Sequence, residues 1–223
     1  MKGIIYYTSN RIKSEIKEGC WKQLQKANLP ITVNNTPLPK IGALSMFHQI
    51  LDCLERAPEK YVFFCEHDVL YHESHFDFTP PTDDTFYYNT NVWRWDYYSL
   101  RAVTYDHLAS LSGLCVNREL AREFYKKRLE IIYSLGLDQL PTFGNPVWAR
   151  EMGYEPGKNT KYKEVAKRDE WRSEFANIDI RHTRAMTAPK MEYADFVAKP
   201  IGWKEVSVNN IPGWDNVKSL VCS

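Results

Sequence analysis

The triplet Glu66-His67-Asp68 is the part of this chain whose residue types and spacing suit chemistry most directly. It ends an unbroken apolar run, Tyr61-Val62-Phe63-Phe64-Cys65, that begins shortly after Pro58. A short, aromatic-rich run of this kind reads as a strand buried on both faces, as in a parallel sheet. Acidic groups at the carboxyl end of such a strand stand where open α/β sheets bind ligands. Glu66 and Asp68 are two residues apart, so they point the same way if the strand runs through them. Two hard oxygen donors on one side suit a divalent cation such as Mg²⁺ or Mn²⁺. The plainer alternative is a polar turn that closes a strand. His67, His72 and His75 lie nearby, but their spacing does not repeat a zinc signature.

The flanking elements must hold this triplet in place. Gly3 to Tyr7 reads as a first strand, followed by Thr8, Ser9 and Asn10, residue types that often cap a helix. Residues 11–27 read as that helix, and Pro30 stops it. Ile31-Thr32-Val33 is a short second strand, and Asn34 to Gly42 a loop. Ala43, Leu44, Phe47, Ile50, Leu51 and Leu54 form the stripe of an amphipathic helix that Pro58 closes. Strand, helix and strand in this order make a right-handed βαβ unit. Lys40 and Gly42 then lie by a helix N-terminus, a place suited to anions, or in a simple connecting loop.

Further along, Phe86 to Tyr88 and Val92 to Trp95 read as strands. Trp93 and Trp95 either pack on one strand face or offer a flat platform to a sugar or base. Leu111 to Val116 is expected as a strand and Arg118 to Ser134 as a helix. Gly113 would allow close backbone approach to a ligand, or mark a bulge. Thr142 to Pro146 is a turn, with helical turns over Val147 to Met152. Lys158 to Phe175 is dense in both charges and reads as a solvated helix or loop, or as a lid. Asn177 to Arg181 alternates, with Ile178 and Ile180 on one side and Asp179 and Arg181 on the other. His182 ends that strand with the parity of a buried histidine.

A chain of 223 residues can bury one substantial core. The net charge of +1 argues against a protein held to nucleic acid by its overall charge, and still allows a local basic patch. Five cysteines at positions 20, 53, 65, 115 and 222 show no pairing or zinc-like spacing, which points to reduced thiols in a cytoplasmic setting. No apolar stretch reaches the ~18 residues of a membrane span, and the N-terminus has no leader-like pattern. No obligate protein partner is evident.

The segment from Gly42 to Tyr71, together with Asn177 to His182, resembles the centre of a GT-A glycosyltransferase. The resemblance implies an α/β, Rossmann-like mixed sheet flanked by helices in a single domain. Residues 1–100 would form the nucleotide-sugar half and 101–223 the acceptor half. Glu66, Asp68 and the late His182 would hold Mn²⁺ or Mg²⁺. Thr8, Ser9 and Asn10 would receive uracil or another base with its ribose, with Lys40 and Gly42 also on the donor. Ser112-Gly113 would close on the donor sugar. The chain departs from the pattern at Gly144-Asn145, where inverting members carry an acidic base. The nearest acids are Asp138, Glu151 and Glu155, and Glu151 is the candidate base. The substrates implied are a nucleoside-diphosphate sugar and a hydroxyl acceptor. Hydroxymethylated pyrimidines in DNA, as in a phage-type subset, compete with a glycan or a small metabolite. A metal-dependent hydrolase or nuclease and a non-catalytic sugar- or nucleotide-binding module are the rival readings.

Overall fold

A computed structural model describes residues 1–36, 42–134, 136, 155–157, 167–183 and 189–221. The apolar N-terminal strand β1 (Lys2–Tyr7) is followed by helix α1 (Ser14–Gln25) and strand β2 (Ile31–Asn34). Helix α2 (Ala43–Arg56) and strands β3 (Tyr61–Glu66) and β4 (Val69–Leu70) come next. Then follow β5 (Thr85–Asn89), β6 (Val92–Asp96), β7 (Arg101–Thr104), β8 (Leu114–Asn117) and helix α3 (Arg118–Ser134). Strands β9 (Lys167–Trp171), β10 (Asn177–Arg181) and β11 (Lys204–Ser207) complete the described elements.

The strands form two sheets, ordered β2-β1-β3-β8-β5-β9 and β11-β7-β6-β10-β4. The first is mixed: β1 runs parallel to β2 and β3, whereas β8 is antiparallel to β3 and β5. This is the helix-flanked, mixed α/β architecture that the resemblance implies. Side-chain alternation explains how the layers meet. Ile5, Tyr7, Val62 and Phe64 pack with Phe47, Ile50, Leu54, Tyr125 and Leu129 of α2 and α3. Ile4, Tyr6, Phe63 and Cys65 pack the opposite face with Leu24 of α1. The second sheet sets Trp93, Trp95, Ile178 and Ile180 against Ile16 and Cys20 of α1. Helix α1 thus serves both sheets.

Two elements differ from the expectation for physical reasons. The expected strand over Leu111 to Val116 starts with a turn of 3-10 helix (Leu111–Gly113), so only Leu114–Asn117 pairs. The charged stretch contains β9, which is a strand on the sheet edge; charged side chains are well suited to an edge. The C-terminal part supplies β11, which pairs with β7.

A buried imidazole joins the sheets. His75 is fully buried and stacks on Trp171 with 5.2 Å between centroids. Its Nδ1 lies 3.0 Å from Asn89 Nδ2 on β5 and 3.1 Å from Asn177 Nδ2 on β10. Backbone N–H groups fix both amides: Asn91 donates to Asn89 Oδ1 at 2.9 Å, and His72 to Asn177 Oδ1 at 3.2 Å. Both NH₂ groups must therefore donate to His75 Nδ1, so the proton sits on Nε2. Burial drives the His75 pKa down to about 3, and a proton on Nδ1 would also face two donors. The unfolded chain takes up that proton near pH 6.5 and the folded chain does not, so stability present above that pH is lost as pH falls toward 3. We expect the stability of His75→Gln to be lower at pH 7 but to fall less steeply between pH 6.5 and 5. The two slopes should differ by up to about 1.4 kcal/mol per pH unit, measured by urea unfolding at stepped pH. Equal slopes would contradict this account of His75.

Candidate metal centre

Strand β3 stops at Glu66, and His67-Asp68 make a tight turn into β4. Strand β4 pairs antiparallel with β10, Val69 opposite Asp179 and Leu70 opposite Ile178. The Ile180 N–H donates to the Asp68 carbonyl at 2.8 Å. This register carries the residue after β10, His182, to the acidic turn, with 3.4 Å between His182 Nε2 and Asp68 Oδ2. One ligand atom from each of His67, Asp68 and His182 lies within 4.8 Å of the others. Asp68 and His182 are largely buried, with side chains 14% and 5% exposed.

The donors fit a cation. His67 Nδ1 and Asp68 Oδ1 are buried and lack hydrogen-bond partners, a costly state that a ligated ion would relieve. Two imidazoles with one carboxylate suit Mn²⁺ and other first-row ions better than Mg²⁺, which prefers oxygen. Burial pushes the Asp68 carboxyl up, but His67, His182 and Arg181 outweigh it and hold the group below its ordinary range. Burial lowers His67, and His182 and Lys17 act in the same direction, against Asp68 and the Tyr7 carbonyl.

Glu66 is placed differently from Asp68. It accepts a hydrogen bond from Tyr7 OH at 2.9 Å on neighbouring β1. Burial, and then the charge of Asp68, push its pKa up to about 8. Because the strand ends at Glu66, the two carboxylates do not share one strand face. His67 rather than Glu66 stands with Asp68 and His182 in the close group. From the sequence, His67 belongs to the triplet, to a zinc-like histidine set and to the rival hydrolase set, and the polar-turn alternative is the one that brings it to Asp68.

Of the residues expected on a donor, Thr8, Ser9 and Asn10 directly follow β1. Thr8 is buried, its Oγ1 accepting the Asn10 N–H at 3.0 Å, while Ser9 and Asn10 are exposed. None of the three caps α1, whose N-cap is Lys13. Asn10 has a left-handed φ of 57° and is held by Asn35 and Lys17, with Nδ2 donating to the Asn35 carbonyl at 2.6 Å and Lys17 Nζ to Oδ1 at 2.6 Å. Gln49 Nε2 donates to the Thr8 carbonyl at 2.8 Å, so α2 braces this loop. Gly42 is the N-cap of α2 with φ 99°, a conformation that favours glycine. Ser112 and Gly113 reach the triplet through Tyr71, whose OH accepts from the Glu66 N–H and donates to the Ser112 carbonyl, each at 3.0 Å. A Cβ at Gly113 would sit 3.0 Å from the Asn89 carbonyl oxygen, so strand packing also favours glycine there. Lys40, Asp138, Gly144-Asn145 and Glu151 lie outside the described residues. Glu155 is described, beside Pro156, whose carbonyl accepts from Tyr88 OH at 2.7 Å.

Among the described residues, the basic side chains Arg94, Arg101 and Arg118 are engaged in separate places. Arg101 is gripped by Glu205 and Glu192. Arg118 pairs with Glu119 and donates to the Leu54 carbonyl, at the amino end of β3. Arg94 and Arg181 flank Asp179, which Arg181 binds with both carboxylate oxygens at 3.1 Å. Trp93 and Trp95 are core residues, 9% and 0% exposed, which answers the platform alternative in favour of packing.

No family model matches the chain, and no curated protein matches it. Among solved structures, "crystal structure of a glycosyltransferase involved in the glycosylation of the major capsid of PBCV-1" is similar with a TM-score of 0.48 and 8% identity, over 77% of this chain and 81% of that one. Similarity at this level assigns no activity. We expect His67→Ala and His182→Ala each to weaken Mn²⁺ binding at least roughly tenfold, whereas Glu66→Gln changes it less. Even the partners of metal ligands are worth about 10- to 100-fold in affinity. Isothermal titration with Mn²⁺, Zn²⁺ and Fe²⁺ measures this, and a Glu66 effect larger than that of His67 would restore the Glu66–Asp68 pair.

Proposed function

We propose that this chain is a metal-dependent glycosyltransferase that moves a sugar from a nucleoside diphosphate to a hydroxyl acceptor. The observation that carries the reading is the His67, Asp68 and His182 group at the carboxyl end of β3, beside the loop that follows β1. Ligand sites of open α/β sheets lie at such strand ends. Tyr7 and Glu66 are register partners, so the Thr8–Asn10 loop and the acidic turn leave adjacent strands about 5 Å apart. A nucleoside diphosphate can span these two places.

In this reading His67, Asp68 and His182 hold a divalent ion. When bound, it supplies positive charge that offsets the negative charge gained by the departing diphosphate. The chain contributes the rest. Gln49, Asn34 and Lys17 set the Thr8–Asn10 loop for the base and ribose. Ser112 and Gly113, tied to the triplet by Tyr71, are proposed to limit the space around the donor sugar. Glu151 is the proposed base for the acceptor hydroxyl. The ion pairing of Arg101 and Arg118 in separate places favours a glycan or a small molecule over hydroxymethylated DNA as acceptor.

The test is release or transfer of sugar from a panel of nucleotide sugars with Mn²⁺. Asp68→Asn preserves shape and removes the charge that holds a hard cation. Its activity should fall by roughly two orders of magnitude or more, the scale set by loss of an electrostatic catalytic group. Full activity of Asp68→Asn at limiting Mn²⁺ would rule out the assignment. Cleavage of phosphoesters without any sugar donor would favour a hydrolase instead.

A further inference from the structure

The alternation of β10 gives the second sheet two unlike faces. Ile178 and Ile180 join Trp93 and Trp95 in the apolar core. Asn177, Asp179 and Arg181 share the other face, where Asn177 meets His75 and the charges of Asp179 and Arg181 act on Glu66. Arg94 stands opposite Asp179 in the parallel pairing of β6 with β10.

Arg94 is poorly served there. Both Asp179 oxygens are engaged by Arg181, and Arg94 Nε is 3.9 Å from Oδ2, beyond hydrogen-bond distance. Its Nε and Nη1 are buried without partners, and its side chain is 13% exposed. A guanidinium cannot escape this cost by losing its proton. Buried charged donors left unpaired are costly, and an oxyanion satisfies such a group best, often through two parallel bonds.

The position points to the acceptor rather than the donor. Arg94 is two residues back along the strands from the level of Arg181 and one strand over, roughly 8 Å away between Cα atoms. His182 and the metal group lie past the other end of β10. In the direction away from them, the Arg94 guanidinium lies 5.6 Å from the ring centre of Tyr105. Tyr105 is parallel to Trp203 within 7°, and Phe196 packs edge-on to both. A cation beside a half-buried aromatic wall suits a sugar ring that carries an acid.

We infer that Arg94, with Tyr105 and Trp203, forms an acceptor subsite that selects a sugar bearing a carboxylate or phosphate. This rests on the glycosyltransferase reading for the word acceptor, but anion selectivity can be measured without it. The experiment titrates the full chain with methyl β-glucuronide, glucose 6-phosphate and neutral methyl β-glucoside by NMR, with and without UDP and Mn²⁺. The acidic sugars should bind at least tenfold more tightly than the neutral one, and Arg94→Gln should bring that ratio to about one. Equal affinities in the wild type, or an unchanged ratio in Arg94→Gln, would overturn the inference. So would a loss of UDP affinity in Arg94→Gln as large as the loss for the acidic sugars, because Arg94 would then read the donor. If Arg94→Gln does not fold, Arg94→Lys decides: it keeps the charge and loses the planar fork, and the ratio should fall severalfold, an unchanged ratio counting against the subsite. Selectivity for acidic sugars that persists without any UDP binding would sink the glycosyltransferase reading and leave the anion subsite standing.

Discussion

The pairing of β4 with β10 is the constraint on which the candidate centre depends. Strand β4 has only two residues, yet its register with β10 and the Ile180–Asp68 backbone bond place His182 against Asp68. These residues are far apart in sequence, and no local preference brings them together. A slip of one residue would turn the side chains of β10 to the opposite faces. It would bury Asp179 and Arg181 against α1 and take His182 out of reach. The apolar grip of Ile178 and Ile180 in the α1-facing core opposes that slip. The candidate group of His67, Asp68 and His182 is therefore secured by hydrophobic packing on one side of a sheet and by backbone pairing along its edge.

The knot around His75 serves the same end from the other direction. Asn89 belongs to the first sheet and Asn177 to the second, and both end on one imidazole nitrogen. The same Asn177 starts the strand that leads to His182. The distance between the β3 turn and the end of β10 is thus fixed at one end by a buried polar network and at the other by β-pairing. Buried networks of this kind are costly when partly made, which rewards a single arrangement of the sheets.

Much of the first half was legible because its elements are strongly periodic and closely connected. The stripe on α2 and the apolar runs of β1 and β3 each specify one element and one packing face. Helix α3 spans the expected Arg118 to Ser134. What was not legible depends on distant partners. β9 is a run of charges whose strand character comes from β5 beside it. β7 and β11 are short and half polar, and each is a strand because of its neighbours in the second sheet. At the site, spacing alone paired Glu66 with Asp68 on one strand face. The tight turn after Glu66 instead leaves Glu66 with Tyr7 and gives Asp68 the company of two histidines. Resemblance makes His182 a ligand and its own parity makes it a buried residue; its side chain is both nearly buried and next to Asp68.

The two carboxylates of the triplet show how burial divides labour between similar groups. Both are enclosed and close enough to repel each other. His67, His182 and Arg181 outweigh burial at Asp68 and hold its carboxyl below the ordinary range, whereas at Glu66 burial, then Asp68 and Asp179, raise the pKa against the opposing hydrogen bond from Tyr7. Two adjacent buried anions would cost far more than one anion and one neutral acid. The arrangement therefore concentrates negative charge on the residue that His182 faces. It also lets Arg181 remain committed to Asp179, so that Arg94, whose side chain hydrogen-bonds with Tyr105, keeps two buried donors, Nε and Nη1, unpaired on this face.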